Sequence, residues 1–207
     1  MIQKTKDFIA TNLTLLGIAI AGLLLRLWHL TSISLWHDEA FSVWLIRYPW
    51  GEMMHRIGLD VHPPMYYIFL RVWTYVFGQS VFSLRGLSVL FGVATIVITY
   101  YFVNYVFQNK KAALMAAALV AVNPFQIMYV TEARMYTMGA FFAVAATFAL
   151  AAALRTQSLH YVTVANEVLR AQLKQRFIKY YLLFALSSAI MIYTHYYLLF
   201  TVAALGL

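Results

Sequence analysis

Residues 34–42 read Ser-Leu-Trp-His-Asp-Glu-Ala-Phe-Ser, two touching carboxylates set directly after a long apolar run. Only seven Asp and Glu occur in the 207 residues, so the pair is conspicuous. Two readings stand side by side. Asp38 and Glu39 can favour the positive end of the dipole of a helix over 40–47. A carboxylate at a membrane–water boundary can instead serve as a catalytic base. Deciding between them starts with whether the flanking apolar runs cross a membrane.

Composition says that they do. The chain is 63% hydrophobic and 11% charged, with a mean hydropathy of +0.74. A soluble domain averages about 45–50% apolar and about 25% charged residues. The expected class is an all-α, polytopic integral membrane protein. The net charge of +8 sits in short segments between apolar runs, as membrane flanks do, and calls for lipid headgroups rather than nucleic acid. With no cysteine, disulfides, thiolate chemistry and Cys-ligated metals are excluded. A mildly basic start leads into a long apolar run with no small-residue cleavage site, which reads as a retained first span.

Five runs are expected to span: 8–30, 82–107, 112–128, 136–154 and 180–207. About 20 residues are needed for about 30 Å of hydrocarbon. A sixth apolar piece, 63–78, has 16 residues and carries Arg71. Lys4 and Lys6, Lys110 and Lys111, and the group Arg155, Arg170, Lys174, Arg176 and Lys179 mark three segments as cytoplasmic by the positive-inside rule. They share a side only if 63–78 is not a full span. That piece is therefore expected in the outer interface, or as a surface helix packed on the bundle. The outer side then holds five of the seven acids, Asp38, Glu39, Glu52, Asp60 and Glu132. Trp36, Trp44, Trp50 and Trp73 join them, with Trp28 just before, as an aromatic interface belt. The segment 155–179 reads as amphipathic, with Val162, Ala165, Leu169 and Leu173 on one face and Glu167, Arg170 and Lys174 away from it. The whole chain is expected to be one membrane-embedded domain, with an outer loop at about 31–81. Its end inside an apolar run looks cut short.

Within the outer loop, Asp60-Val61-His62-Pro63-Pro64 forms an extended lead-in to a helix. Residues two apart in an extended segment point the same way, so Asp60 and His62 share a face and with Asp38 could line one pocket. The bland alternative is a helix-entry turn with a surface His. A divalent metal is possible there but not indicated, because one His and one carboxylate are not a ligand set. Arg85, at the outer end of the second span, either snorkels or binds phosphate with its planar fork. Val122-Asn123-Pro124-Phe125 breaks the third span. Glu132 and Arg134 follow just before Tyr136, either aimed inward by a loop or forming a surface ion pair. His195 lies within the fifth expected span, a functional candidate by depth or a core His bonded to Tyr or Thr.

Five motifs in this order, LWHDEA, DVHPPMYY, LRGLSVLFG, NPFQIMYVTEARMYT and YTHYY, resemble the N-terminal half of the GT-C membrane glycosyltransferases. They are most similar to bacterial relatives of the protein O-mannosyltransferases and aminoarabinose transferases, glycosyltransferase family 39. The resemblance implies an inverting enzyme in the cell membrane. It would take a sugar from a polyprenyl-phosphate carrier on the outer face and pass it to an acceptor hydroxyl on glycan, lipid or protein. It implies Asp38 as general base, with Glu39 beside it, and Arg85 near the donor phosphate. His62 and the Pro pair match the helix start after the outer loop, and Glu132 and Arg134 the second outer loop. Asp60, Tyr136 and His195 complete the candidate substrate-binding set. Two rivals remain, a carrier or flippase for lipid-linked sugars and a non-catalytic membrane subunit. A carrier predicts charge at mid-membrane. Here nearly all charges fall at or outside the ends of the runs, His195 excepted.

Overall fold

The computed structural model describes residues 2–162 and 167–206 of the chain. Its secondary structure there is ten helices: α1 (Ile2–Leu27), α2 (His37–Ile46), α3 (Trp50–Gly58), α4 (Met65–Phe77), α5 (Val81–Phe107), α6 (Lys110–Val122), α7 (Pro124–Val130), α8 (Tyr136–Val162), α9 (Glu167–Ile192) and α10 (Leu198–Gly206).

Local chemistry sets the boundaries. Ser80 caps α5, its hydroxyl accepting from the Ser83 N–H. Gln108 ends α5 in the left-handed region at φ 52°, and Asn109 caps α6 by accepting from Lys111 and Ala112. This two-residue reversal lays α5 and α6 side by side and antiparallel. Pro124 has no N–H to give to the carbonyl four residues back, so α6 stops and Asn123 caps α7 instead. The two helices meet at 51°. Arg26, fully buried in the last turn of α1, donates to the freed carbonyls of Val120 (3.2 Å) and Ala121 (2.9 Å). A buried Arg thus clamps α1 to the break.

Gly22 and Gly92 make room for that clamp. A Cβ on Gly92 would lie 2.9 Å from Arg26 Nε, and one on Gly22 would lie 2.4 Å from Ile96 Cδ1. Lower down, Leu15 packs with Ile96, Tyr100, Ala113 and Ala117. Arg155 Nη1 donates to Tyr105 O at 2.8 Å, which brings the far ends of α5 and α8 together.

Among the described residues, three helices are long and apolar enough to cross a membrane, Asp7–Leu27, Val81–Phe107 and Tyr136–Leu159, or four if the bent α6–α7 pair is one span. The fifth expected run is not among them. The run 180–207 is not continuous: α9 ends at Ile192, turns follow, and α10 begins at Leu198. The segment 155–179 falls across two of the described helices. Its first part continues α8 and its last part opens α9, while 163–166 and Ala165 with them lie outside the described residues. The expectation for 63–78 holds in form. Its helix, α4, has 13 residues and packs on α2 and α5, too short to cross at about 1.5 Å per residue. Together α2, α3 and α4 cap one end of the bundle over a core that includes Leu45, Met53, Tyr66, Leu70, Leu84 and Met138.

Candidate active site

The helix reading of 34–42 is correct, and it separates the two carboxylates. With α2 starting at His37, both fall in its first turn. Glu39 turns inward and is 0% exposed. Its Oε1 accepts from Arg85 Nε (2.9 Å) and the Ala133 N–H (2.8 Å). Its Oε2 accepts from Arg85 Nη2 (2.7 Å) and the Trp36 N–H (3.3 Å). Arg85 spends its remaining hydrogens on the carbonyls of Leu30 (2.6 Å), Ile33 (2.9 Å) and Ser34 (3.3 Å). A guanidinium has five N–H groups, and these contacts use all five. The knot ties the exit of α1, the start of α2, the second turn of α5 and the loop before α8.

Arg85 was expected near a donor phosphate. At 2% exposure and with every donor committed, it has none to offer a ligand. Glu39 is likewise saturated by four donors, which leaves it no role as a base.

Asp38 faces the other way. Its side chain is 40% exposed, with Oδ2 3.8 Å from Arg134 Nη2 and Oδ1 3.4 Å from the exposed ring of His37. Arg134 is itself buried, and the same Nη2 lies 3.1 Å from His62 Nε2. His62 Nδ1 in turn lies 3.1 Å from Asp60 Oδ2. The expected meeting of Asp38, Asp60 and His62 therefore occurs through Arg134. The lead-in is pinned from below, because the Met65 N–H donates to Tyr193 O at 2.9 Å.

His195 sits in the turns between α9 and α10, not inside a span. This corrects its expected depth and brings it to the cluster. Its ring centroid is 6.3 Å from those of both His62 and Tyr136, and it stacks on Tyr197 at 5.3 Å. Burial, then the nearby His62 and Arg134, hold its pKa below the ordinary histidine value. Burial, then the charge of Glu39, push the Glu132 carboxyl above the usual range, against the pull of Arg134. The Glu132 backbone is fixed by Ser88, whose hydroxyl donates to its carbonyl at 2.7 Å.

Two cavities could receive a substrate, and the first of them borders this cluster at Tyr136 and His195. One of about 580 Å³ runs between α7, the start of α8 and the 193–198 turn, walled by Tyr129, Tyr136, His195 and Tyr197 with the amides of Asn123 and Gln126. Another of about 340 Å³ lies between α4 and α5, lined only by apolar side chains such as Phe69, Val72, Trp73, Phe77, Leu90 and Phe91. Among the described residues, no group of three or more His, Asp and Glu side chains could hold a metal ion.

Sequence reading passed over three participants. Arg26 was legible as a charge inside an apolar run. Ser88 and Tyr67 gave no signal. The Tyr67 hydroxyl is buried near Arg134, and burial pushes its pKa up to about 12.

A family model described as dolichyl-phosphate-mannose-protein mannosyltransferase matches residues 61–166, just over half of the chain. The match takes in His62, Arg85, Glu132, Arg134 and Tyr136 and leaves Asp38, Glu39, Asp60 and His195 outside. No curated protein and no solved structure matches.

Proposed function

The chain belongs to the dolichyl-phosphate-mannose-protein mannosyltransferase family, membrane glycosyltransferases of the mannosyltransferase type, and on that premise we propose that Asp38 is the general base of sugar transfer from a polyprenyl-phosphate carrier to an acceptor hydroxyl. The observation that carries this reading is the contrast on α2. Glu39 is saturated, whereas Asp38 is half-exposed, open to a ligand and beside a buried cation.

The chemistry is economical. The acceptor hydroxyl gives its proton to Asp38 as its oxygen bonds to the anomeric carbon, and the bond to the phosphate oxygen breaks. A lipid phosphate is a good leaving group that needs its charge stabilised rather than an acid. Arg134 is the cation of this cluster and supplies that field. One carboxylate then suffices where a glycosidase uses two. The apolar α4–α5 groove suits the polyprenyl tail. The cavity at Tyr136 and His195, with aromatic faces and two amides, suits a sugar ring.

Orientation follows from charge. Lys4 and Lys6, Lys110 and Lys111, and Arg155 belong to the bundle end opposite the cluster, so we place that end and the N-terminus in the cytoplasm and the site outside, in a multi-pass protein of the cell membrane.

The test is transfer from a polyprenyl-phosphate sugar pool in membranes. Asp38→Asn should lower turnover by about 10²–10⁴-fold, the usual share of a general base, with insertion and folding unchanged. Turnover retained in a well-folded variant would remove Asp38 from the role.

A further inference from the structure

Resting on that reading, we propose that Asp60 and His62 are positioning residues for the transfer: Asp60 fixes the tautomer of His62, and the His62 ring holds the Arg134 guanidinium against Asp38. The tautomer follows from the partners alone. A guanidinium has no lone pair to offer, so at 3.1 Å from Arg134 Nη2 the His62 Nε2 is the acceptor. Its hydrogen is on Nδ1, donated at 3.1 Å to Asp60 Oδ2, which accepts. The three side chains therefore form one directed chain, Asp60 to His62 to Arg134, ending 3.8 Å from the Asp38 carboxylate.

Two features set this chain apart from a surface His that happens to find partners. Its backbone is held just after His62, by Pro63 and by the bond from the Met65 N–H to Tyr193 O. Its charges are sheltered as well: the His62 and Asp60 side chains are 26% and 20% exposed, and Arg134 is buried. Arg134 also lies beside the Asp38 backbone, its Nη1 3.5 Å from the carbonyl. A guanidinium shared between a carboxylate and a backbone carbonyl has more than one place to go. The His62 lone pair selects one of them. The ring itself need not touch substrate, and it donates no proton in the reaction.

Two amide substitutions separate this role from its rivals. Gln at 62 can place an acceptor oxygen where Nε2 stands and keep the link to Arg134. Asn reaches only as far as Nδ1 and keeps the link to Asp60 alone. We expect His62→Asn to lose about 10²-fold in kcat, the scale of a 1 Å misplacement, with KM for donor and acceptor nearly unchanged. His62→Gln should keep at least tenfold more kcat than His62→Asn, and Asp60→Ala should fall between them.

Equal turnover in the two amide variants, whether both active or both dead with fold intact, overturns the proposal, since a contact residue or an idle one does not distinguish the two reaches. An independent readout needs no activity. In protein labelled with 15N-histidine, the signal lost in His62→Gln should show a protonated Nδ1 and a bare Nε2, and the reverse overturns the proposal. Absence of any Asp38-dependent transfer would fail the base assignment instead, leaving the spectrum to judge the chain.

Discussion

Two carboxylates one residue apart on α2 each meet a guanidinium, and the two pairs do opposite work. The Glu39–Arg85 pair is sealed, bidentate and saturated by backbone partners from the α1–α2 link and the loop before α8. The Asp38–Arg134 pair is looser at 3.8 Å, with a carboxylate 40% exposed. Adjacent residues of a helix point about 100° apart, so one turn can send one acid into the core and the other into the cleft. A saturated pair cannot react, and an unsaturated pair cannot hold a fold together. The site has one of each, and the first fixes the geometry of the second.

The largest expected effect breaks the sealed side. Arg85→Leu leaves Glu39 buried without its cation, a loss of about 3–5 kcal/mol. Arg85→Lys should do little better, because an ammonium has three donors and no fork to span Glu39 and three carbonyls. Both variants should give little folded protein, read as yield and thermal aggregation in detergent. A stable Arg85→Leu protein that had lost only donor affinity would return Arg85 to the phosphate.

The second clamp, at the α6–α7 break, sharpens the same comparison with a smaller effect. Gly92→Ala puts a Cβ 2.9 Å from both Arg26 Nε and Val130 Cγ2, and overpacking of this kind costs about 1–3 kcal/mol. Gly17→Ala, with nothing within 4 Å, should be neutral or stabilising by up to about 1 kcal/mol. The difference between their melting temperatures reports how rigidly Arg26 is seated. Equal melting temperatures would mean that the break relaxes freely.

What the sequence disclosed and what it hid follow one rule. Helices, the α4 cap and the meeting of Asp38, Asp60 and His62 came from hydropathy, prolines and charge order, all of which act locally, whereas Arg134 stayed open between an inward aim and a surface ion pair. The division of labour between Asp38 and Glu39 did not, because it depends on where Arg85 and Ala133 arrive, 46 and 94 residues later. The helix-start reading of 34–42 holds for both residues, and it leaves Asp38 exposed where the proposed base role needs it. Hydropathy also ran through Tyr193–Tyr197 without a pause, since Tyr and His are only mildly polar, and so missed the turn that delivers His195. Arg26 shows the converse: a charge plainly visible in an apolar run, whose purpose appears only once Pro124 frees the carbonyls it serves.

The smallest effect tests Glu132, which stands between the two pairs. Burial, then the charge of Glu39, raise the Glu132 carboxyl above the ordinary value of 4.5. The folded state therefore holds that proton more tightly than the unfolded chain does. Its stabilising contribution is complete below about pH 4.5 and is lost as pH rises through the folded value. At neutral pH the ionised group therefore disfavours the fold slightly, an effect reduced by screening at a site open to solvent. Glu132→Gln should accordingly melt slightly higher than the parent at pH 7.5, and the gap should close as the pH falls towards 4.5. A Gln variant that melts lower at pH 7.5 would mean that Arg134 outweighs burial and Glu39. Arg134 would then be shared among Asp38, His62 and Glu132, and the looser pair would be a three-way contest for one cation.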